Sequence, residues 1–293
     1  MTGTDTSAML DAIARALEVP ASALALNTVG GGCVSDTAVV SAGKRRAFLK
    51  REPAERAWQL QAEAEGLEAL AAAGALRVPR PLSCGEADGQ AWLLMEHLPL
   101  QGRGDWATMG QALAATHACS AARHGWHRDN ALGGTHQDNT PAEDWAAFFR
   151  DRRLRPQLAL ASERGHGGPW LERGEQLARA LPGLLDHTPT PALLHGDFWG
   201  GNAGFCEGQP ATWDPAVHYG DRECDLAMAS LFGGFGAAFW QAYQAEWPLP
   251  AGHETRRDLY QLYHVLNHLN LFGGGYGASA RRLIERLLAS CRG

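Results

Sequence analysis

The pattern of apolar residues changes near residue 100, and this change constrains the fold more than any other feature. Before that point, the helical spacing of Leu10, Ile13 and Leu17 predicts a short opening helix, and β-rich runs separated by glycine turns predict a small antiparallel sheet with a second helix over residues 54–73. Beyond it, apolar residues recur at helical spacing, and strand-like runs are limited to "PALLHGD" and "QPATWDP". The chain therefore predicts an α+β fold with two lobes: a sheet-rich lobe over residues 1–98 and a larger helical lobe over residues 99–293.

Composition also predicts how these elements are connected. Glycine, histidine and asparagine predict exposed loops at residues 121–141 and 163–169. The run 226–245 carries no charge, but its glycines and glutamines favour a buried helix broken by a turn over a membrane span. The hinge between the lobes is expected at Glu96–Leu100. Helices of the second lobe are predicted over residues 106–120, 142–161, 171–185, 226–247, 256–271 and 278–290.

Charge and cysteine usage disfavour several functional classes. The formal net charge is -6, whereas a nucleic-acid-binding protein needs a basic surface to displace counterions from phosphates. The six cysteines show no CxxC spacing, which disfavours a zinc site or a disulfide framework. The first twenty residues carry acidic side chains and are not typical of a signal peptide. We expect a cytoplasmic protein with neither a nucleic-acid nor a membrane partner.

The stretch "LLHGDFWGGN" joins a strand-like run to a glycine-rich turn that carries Asp197 and Asn202. A carboxylate on such a turn can accept a proton or orient a hydroxyl group. An amide oxygen five residues later can bind a divalent cation as a hard ligand. Asp214, in "TWDP", ends a second short strand, and its carboxylate could bind the same cation. These three residues predict a site for metal-assisted group transfer.

Features of the first lobe extend this prediction to phosphoryl transfer. A glycine-rich turn with Gly30, Gly31 and Gly32 precedes a strand that carries Lys50. The next helix offers the lysine two possible partners, Glu63 and Glu65. In protein kinases, a glycine loop covers the phosphates, a strand lysine pairs with a helix glutamate, and Asp, Asn and a second Asp complete the site. The order and spacing of these parts predict a protein-kinase-like fold.

The segment after Asp214 narrows the class of acceptor. Asp225 follows Asp214 by only eleven positions and already starts a helix, where we expect it to brace the loop. No room is left for a long activation segment on which a peptide could dock. We therefore expect the acceptor to be a small molecule bound in a pocket.

Longer stretches resemble the fructosamine kinase (ketosamine 3-kinase) family. They include "WDPAVHYGDRECDLAMASLFGGF", "LYQLYHVLNHLNLFGGGY" and "EAEGLEALAAAGALRVPRPL", and the resemblance extends from about residue 8 to residue 289. The family is related to aminoglycoside and choline kinases, which share the two-lobed fold. The resemblance implies ATP- and Mg²⁺-dependent phosphorylation of the 3-hydroxyl of a ketosamine or a glycated lysine. Such an activity would repair glycated amines.

The same resemblance implies a role for each candidate residue. The adenine of ATP would bind backbone groups between the lobes, the cation would be held by an amide and a carboxylate, and aromatic side chains would contact the sugar-amine. The implied assignments are Gly30, Gly31, Gly32, Lys50 and Glu63 at the phosphates, Glu96 and Leu98 at the adenine, Asn202 and Asp214 at the metal, Asp197 as the proton acceptor, and Trp199 and His268 at the acceptor.

Several alternatives stay open from the sequence. The chain could be an aminoglycoside or other small-alcohol phosphotransferase, or a nucleotide-binding regulator without activity. Trp199 and His268 could be core residues, since aromatic rings are common in cores as well as in sites. Cys33, in the glycine turn, could be a redox-sensitive thiol or an inert small residue. The sequence ranks neither fructosamine against ribulosamine nor a free acceptor against a protein-bound one.

Overall fold

The structure is a computed structural model, and it describes residues 7–29, 36–87 and 89–291. The predicted α+β layout is confirmed, because an N-terminal antiparallel sheet precedes a mostly helical remainder. Gly30, Gly31, Gly32 and Cys33, which the sequence singled out, lie outside the described residues. The boundary between the lobes at residue 98 stays a prediction.

The N-terminal lobe is a five-stranded antiparallel sheet in the order β1-β2-β3-β5-β4, with one helix before it and one inserted in it. Alternate residues of the interior strand β5 enter different apolar clusters: Leu93 and Met95 pack with α2, whereas Trp92 and Leu94 pack with α1. The sheet is therefore covered on both faces. The elements are α1 (Ser7–Leu17), β1 (Ala25–Thr28), β2 (Asp36–Ala42), β3 (Arg45–Pro53), α2 (Ala57–Ala73), β4 (Pro81–Ala87) and β5 (Gln90–Glu96).

The C-terminal lobe is a helical bundle whose core surrounds a long helix, α9, with short strands at the junction with the sheet. Its helices are α3 (Trp106–Ala118), α4 (Trp145–Phe149), α5 (Arg155–Glu163), α6 (Pro169–Leu184), α7 (Glu223–Leu231), α8 (Ala237–Glu246), α9 (His253–Phe272) and α10 (Tyr276–Ser290). Its strands are β6 (Leu100–Gln101), β7 (Asn130–Leu132), β8 (Thr135–Gln137), β9 (Ala192–Leu194), β10 (Ala203–Cys206), β11 (Gln209–Thr212) and β12 (His218–Gly220). No helix in the described part of the chain is long and apolar enough to cross a membrane.

Two predictions about the second lobe are wrong. Residues 121–141 are not an exposed loop, because they form the β7–β8 hairpin and bury His124, Asn130 and Asn139. The lobe also contains more strands than the two predicted, since strands of two or three residues such as β6 and β7 show no periodicity. The predicted break in the run 226–245 is confirmed, as α7 ends at Leu231 and α8 begins at Ala237.

A pair of helix glycines gives a test of the packing between α3 and α8. A Cβ on Gly110 of α3 would lie 2.3 Å from the carbonyl oxygen of Phe239, a backbone atom of α8 that cannot rotate away. We expect Gly110→Ala to lower the free energy of unfolding by about 1–3 kcal/mol, or more if the helices must separate. Gly183→Ala, in α6 with open space around its Cβ, should instead raise it by about 0.5–1 kcal/mol. Urea denaturation measures both values, and equal effects would contradict the packing.

Candidate active site

Lys50 lies at the centre of an ion cluster that joins the two lobes. Its side chain on β3 is buried, and Nζ donates to Glu63 Oε1 on α2 and to Asp214 Oδ1 in the C-terminal lobe, each at 2.6 Å. Burial alone would lower the pKa of Lys50, but the charges of Asp214 and Glu63 raise it, so the ammonium stays charged. The predicted pairing of Lys50 with Glu63 is confirmed, whereas Glu65 pairs with other side chains of the C-terminal lobe.

Two backbone features bring both carboxylates to this lysine. A Cβ on Gly66 of α2 would lie 3.1 Å from Val217 Cγ2, so a glycine here lets the helix approach the segment after Asp214. Asp214 itself has a φ of 56°, in the left-handed region that few residues other than glycine adopt and that aspartate tolerates. Close packing of α2 and the turned backbone at Asp214 therefore form the cluster together.

The loop after β9 holds Asp197 and Asn202 in a fixed relation. Asn202 Nδ2 donates to the backbone oxygen of Asp197 at 3.1 Å and to its Oδ2 at 3.0 Å. Because the nitrogen side of this amide is engaged, Oδ1 of the buried Asn202 is the atom that can face a ligand. Burial, and then the charge of Asp214, raise the pKa of Asp197 to about 7. The carboxylates of Asp197 and Asp214 are thus close enough to interact.

Asp225 braces the backbone of this loop, as predicted. Its carboxylate accepts hydrogen bonds from the backbone N–H of His195 at 2.7 Å and of Gly196 at 2.9 Å. A third partner, His117 Nε2 on α3, lies 3.1 Å from Oδ2. All of these groups are buried, so the loop is held by an enclosed polar network. No sequence motif points to His117, because it is a single histidine on an apolar helix.

His195 ties the loop after β9 to the segment that ends at Asp214. Its Nδ1 accepts from the N–H of Asp197 at 3.2 Å, which leaves Nε2 as the donor to the carbonyl of Trp213 at 3.0 Å. The neighbouring Gly196 has a φ of 82°, and a Cβ there would lie 2.1 Å from the carbonyl oxygen of Ala216. The close crossing of two loops therefore requires a glycine at position 196.

Glu96 and Leu98 lie where the chain leaves β5 for the second lobe. Strand β5 pairs with β3, so that Leu93 is opposite Lys50 and Glu96 lies three residues further along, about 10 Å away. The N–H of Glu96 donates to the carbonyl of Arg80, and the carbonyl of Leu98 accepts from Leu100, both at 2.9 Å. The junction is thus an ordered backbone segment about 10 Å along the sheet from Lys50.

Arg77 stabilises the same junction, and no sequence motif pointed to this residue. Its guanidinium pairs with the carboxylate of Glu96. Its N–H donates to the carbonyl of Pro210 at 2.8 Å, and its carbonyl accepts from Thr212 at 2.9 Å. Because Pro210 and Thr212 belong to β11, the linker between the lobes is tied to the strand that leads to Asp214.

Trp199 and His268 belong to one row of aromatic rings, which also contains residues that the sequence did not single out. Phe232 connects them, with its ring centroid 5.8 Å from Trp199 and 4.9 Å from His268. Phe272 and Tyr276 follow at 5.6 Å and 5.1 Å from His268. The side chains of Phe232 and Phe272 are 42% and 51% exposed, so the row is not simply core. We call these five residues the aromatic row.

A contact between two glycines places the aromatic row beside the loop after β9. Gly234 follows Phe232 in the turn between α7 and α8, and a Cβ on it would lie 3.4 Å from Cα of Gly200. Gly200 comes directly after Trp199, so the two backbones meet where the two rings do. In the N-terminal lobe, β1 and β2 stay paired as far as Val29 and Thr37, which exchange hydrogen bonds of 3.0 Å and 2.8 Å.

Comparison with known proteins decides the family. The fructosamine kinase family model matches residues 6–290. The chain belongs to the fructosamine kinase family. A probable ketoamine kinase of Synechocystis is 45% identical over 267 residues, covering 89% of each chain. The chloroplastic protein-ribulosamine 3-kinase of Arabidopsis thaliana is 37% identical, covering 90% of this chain and 82% of that protein.

Solved structures place the fold among the kinase-like proteins. A Haemophilus somnus protein assigned as a fructosamine-3-kinase superposes with a TM-score of 0.87 at 26% identity, covering 96% of each chain. Aminoglycoside phosphotransferase APH(4)-Ia shares the fold alone, with a TM-score of 0.61 at 16% identity over 98% of this chain and 99% of that one. The predicted protein-kinase-like two-lobed fold is confirmed.

Substitution of Asp225, which braces the loop after β9, gives a prediction that depends on pH. Asp225→Asn should lower the free energy of unfolding near pH 7 by about 2–4 kcal/mol, because its amide offers one oxygen to the two loop N–H groups. Burial alone would raise the pKa of Asp225, but the hydrogen bond from His117 and nearby charges lower it. The carboxylate therefore stabilises the fold above about pH 4 and loses this contribution as the pH falls further.

Urea denaturation at about pH 7 and about pH 3.5 checks this prediction. The difference between the wild type and Asp225→Asn should shrink at the lower pH, because the Asp225 carboxyl of the unfolded wild type then begins to take up a proton while that of the folded protein, with its lowered pKa, does not. Asp186→Asn, which changes an exposed carboxylate of the same lobe, is the control and should behave as the wild type at both values. A difference that stays constant with pH would contradict the assigned ionisation of Asp225.

Proposed function

We propose that this protein is an ATP- and Mg²⁺-dependent kinase that phosphorylates the 3-hydroxyl of a ketosamine. The observation that carries the proposal is the ion cluster of Lys50, Glu63 and Asp214 beside Asp197, in a chain whose relatives are named ketoamine and ribulosamine kinases. Lysine, helix glutamate and metal-binding aspartate are the parts that phosphoryl transfer requires. ATP would extend from the junction at Glu96 and Leu98 to Lys50, and Gly30, Gly31 and Gly32 would supply backbone groups to its phosphates.

The donor atoms of the site fit a magnesium ion. Magnesium prefers hard oxygen ligands, and Oδ1 of Asn202 and the half-exposed carboxylate of Asp214 are of this kind. When bound, the ion would neutralise charge on the transferring phosphoryl group. Lys50 would contact the phosphates while Glu63 keeps it in place. A Mg²⁺ ion held by Asp214 would also favour the ionised form of Asp197.

Asp197 would act on the acceptor hydroxyl. Its carboxylate would orient the 3-hydroxyl and accept its proton as the oxygen attacks the γ-phosphorus of ATP, the bond from that phosphorus to the bridging oxygen breaks, and ADP leaves. The hydrogen bonds from Asn202 hold the carboxylate in one orientation, and the brace at Asp225 holds its backbone. Since the transition state of phosphoryl transfer is loose, orientation contributes more than basicity.

The aromatic row would bind the sugar-amine part of the acceptor. His268 Nδ1 donates to the carbonyl of His264 at 2.8 Å, so Nε2 is left as a hydrogen-bond acceptor. Burial lowers the pKa of His268, and the ring is therefore neutral at pH 7. A protonated amine would be attracted by this nitrogen and by the faces of Phe232 and Trp199, in a cation–π interaction. Trp199, His268 and Phe232 thus form one proposed acceptor wall.

The rival functions are less well supported. An aminoglycoside phosphotransferase needs an acidic rim for its polycationic acceptor, but two acidic residues of the second lobe that could contribute to one are engaged within the fold. Asp144 accepts from the N–H of Ala147 at the start of α4, and the buried Asp221 pairs with His187 and Tyr260. A regulator without activity would have no use for an intact ion cluster around Lys50.

The product would explain a role in the repair of glycated amines. A phosphate on carbon 3 adjoins the C2 carbonyl, and loss of a proton from carbon 1 gives an enaminol that expels the phosphate. Hydrolysis of the resulting imine then frees the amine. A cytoplasmic location is part of this proposal, because the cysteines of the described residues are free, as in reducing compartments.

Asp197→Asn tests the proposed chemistry. It should lower kcat by about 10²–10⁴-fold with fructose-lysine or ribulose-lysine, because the proton acceptor is lost, while the affinity for MgATP changes little. Coupled ADP release measures turnover, and EDTA should abolish it in the wild type. Kanamycin is the comparison acceptor: faster transfer to kanamycin would favour the aminoglycoside reading. An absence of transfer to all three acceptors would favour the regulator.

Phe232→Ala tests the acceptor wall. We expect KM for fructose-lysine to rise about fivefold to tenfold, with kcat and KM for ATP little changed, because one ring next to the amine is lost. Phe232→Leu is the matched control, since it keeps an apolar side chain and removes only the aromatic face. Phe232→Leu should lose most of the affinity for fructose-lysine that Phe232→Ala loses. Equal KM values in all three proteins would rule out a contact between Phe232 and the acceptor.

A further inference from the structure

Helix α2, which carries Glu63, is fastened to the second lobe along one face. Arg128 Nη1 donates to Glu65 Oε1 at 2.6 Å, and Nη2 of the same guanidinium donates to Gln61 Oε1 at 3.5 Å. His136 meets the ring of Trp58 edge-on at 5.6 Å between centroids. Trp58, Gln61 and Glu65 recur at helical spacing and share one face. We call residues 124–139, which supply the partners, the α2 strap.

The Glu65 carboxylate has a second partner in the α2 strap, His127, whose Nε2 lies 2.9 Å from Oε2. Burial alone would raise the pKa of Glu65, but hydrogen bonds from His127 and Arg128 lower it. The carboxylate is therefore ionised at neutral pH. Both of its oxygens are directed to the strap, and Glu63, two residues earlier, is directed to Lys50.

Buried side chains root the α2 strap in the second lobe. Asn130 Nδ2 donates to the carbonyl of Val217 at 2.7 Å. Its Oδ1 accepts from Gln137 Nε2 at 3.0 Å and from Asn139 Nδ2 at 2.9 Å, and all three side chains are buried. Tyr263 of α9 donates to Gln137 Oε1 at 2.7 Å. A satisfied network of this kind holds one conformation, because each lost bond would leave a buried polar group without a partner.

The α2 strap is also paired with the segment that follows Asp214. Gly125 and Tyr219 exchange two backbone hydrogen bonds of 2.8 Å. Gly125 has a φ of 105°, and a Cβ there would lie 2.4 Å from the carbonyl oxygen of Asn139, so the strap turns tightly at this point. Residues 217–219 are thus bound to the strap through Asn130 as well as Gly125. The strap joins the two elements whose carboxylates hold Lys50.

This arrangement bears on how the ion cluster is kept assembled. In protein kinases, the pairing of the strand lysine with the helix glutamate is controlled by the activation segment, which positions the helix after phosphorylation. Here α7 already begins at Glu223, and the chain between Asp214 and that helix is too short for such a segment. A permanent contact within the fold must then position the helix that carries the glutamate, as the activation segment does in protein kinases.

We propose that Arg128 is a positioning residue: through Glu65 it keeps α2 docked, so that Glu63 stays on Lys50 without any activating modification. Arg128 does not itself contact the reacting groups in this proposal. The inference rests on the proposed phosphoryl transfer only in its kinetic test. Its structural test, the docking of α2, holds for any ligand of the site.

Arg128→Ala, compared with Arg173→Ala, tests the proposal. Arg173 pairs with Glu285 far from α2, and the two arginine side chains are both 28% exposed. We expect Arg128→Ala to lower kcat about threefold to tenfold with KM for the ketosamine unchanged, because Lys50 loses its fixed partner in part of the molecules. Hydrogen exchange should accelerate in residues 57–66. Both quantities should stay at wild-type values in Arg173→Ala, and thermal unfolding should change little in either variant, since exposed ion pairs contribute little stability.

A charge exchange separates positioning from general support of the fold. Glu65→Arg alone should impair turnover at least as much as Arg128→Ala, because it opposes like charges. Adding Arg128→Glu should restore at least half of kcat and the slow exchange of residues 57–66. Failure of this rescue, or an Arg128→Ala variant that matches Arg173→Ala, would overturn the proposal. So would faster exchange spread over the whole second lobe.

The outcome stays decisive if no ketosamine is phosphorylated. In that case the proposed function fails, and hydrogen exchange of residues 57–66 together with the affinity for MgATP tests the α2 strap alone. Faster exchange and at least threefold weaker MgATP binding in Arg128→Ala, with Arg173→Ala unchanged, would support the strap. Unchanged exchange would overturn it whatever the acceptor is.

Discussion

A single buried ammonium group determines how the two lobes meet. Lys50 comes from the sheet, and the carboxylates that neutralise it come from α2 and from the turn after β11. Removing a charge from water costs several kcal/mol, so a buried lysine is stable only where such partners are supplied. Their supply depends in turn on Gly66, on the left-handed backbone of Asp214 and on the docking of α2. The fold and the proposed chemistry therefore depend on the same three side chains.

A second layer of buried polar groups supports the loop of Asp197. The carboxylate of Asp225 and the ring of His195 each join two chain segments that are distant in sequence. Neither residue needs to touch a substrate in order to matter. Their contribution is to remove the backbone freedom that would otherwise scatter the orientations of Asp197 and Asn202. Rigid support of this kind suits a reaction in which orientation contributes more than basicity.

The sequence predicted what depends on local pattern. The sheet-rich lobe and the long helices followed from periodicity. The pairing of Lys50 with a glutamate of the next helix followed from the order of the motif, and the family resemblance selected Glu63 over Glu65. Residues 121–141 were misjudged because asparagine, glutamine and histidine are typical of exposed loops. Here Asn130 and Gln137 are buried, since tertiary partners satisfy their amides. Such partners lie far away in sequence, and composition carries no record of them.

Phe232 shows that composition is equally uninformative about where an apolar residue lies. A phenylalanine in an uncharged run is expected in a core, and its neighbour in the same turn, Phe235, is indeed buried against Phe198. Only the path of the glycine turn, with Gly234 against Gly200, shows that Phe232 faces outward beside Trp199. A residue's place in the site thus depended on a backbone crossing rather than on its own chemistry.

The end of the aromatic row at Phe272 is exposed to solvent, and this exposure bears on the size of the acceptor that can bind. Phe272 is half exposed and packs against His268. Under the proposed function, a sugar-amine seated along the row would reach solvent beside this ring. The site would then hold the modified end of its target. A lysine side chain is long enough to reach such a site from the surface of a folded macromolecule.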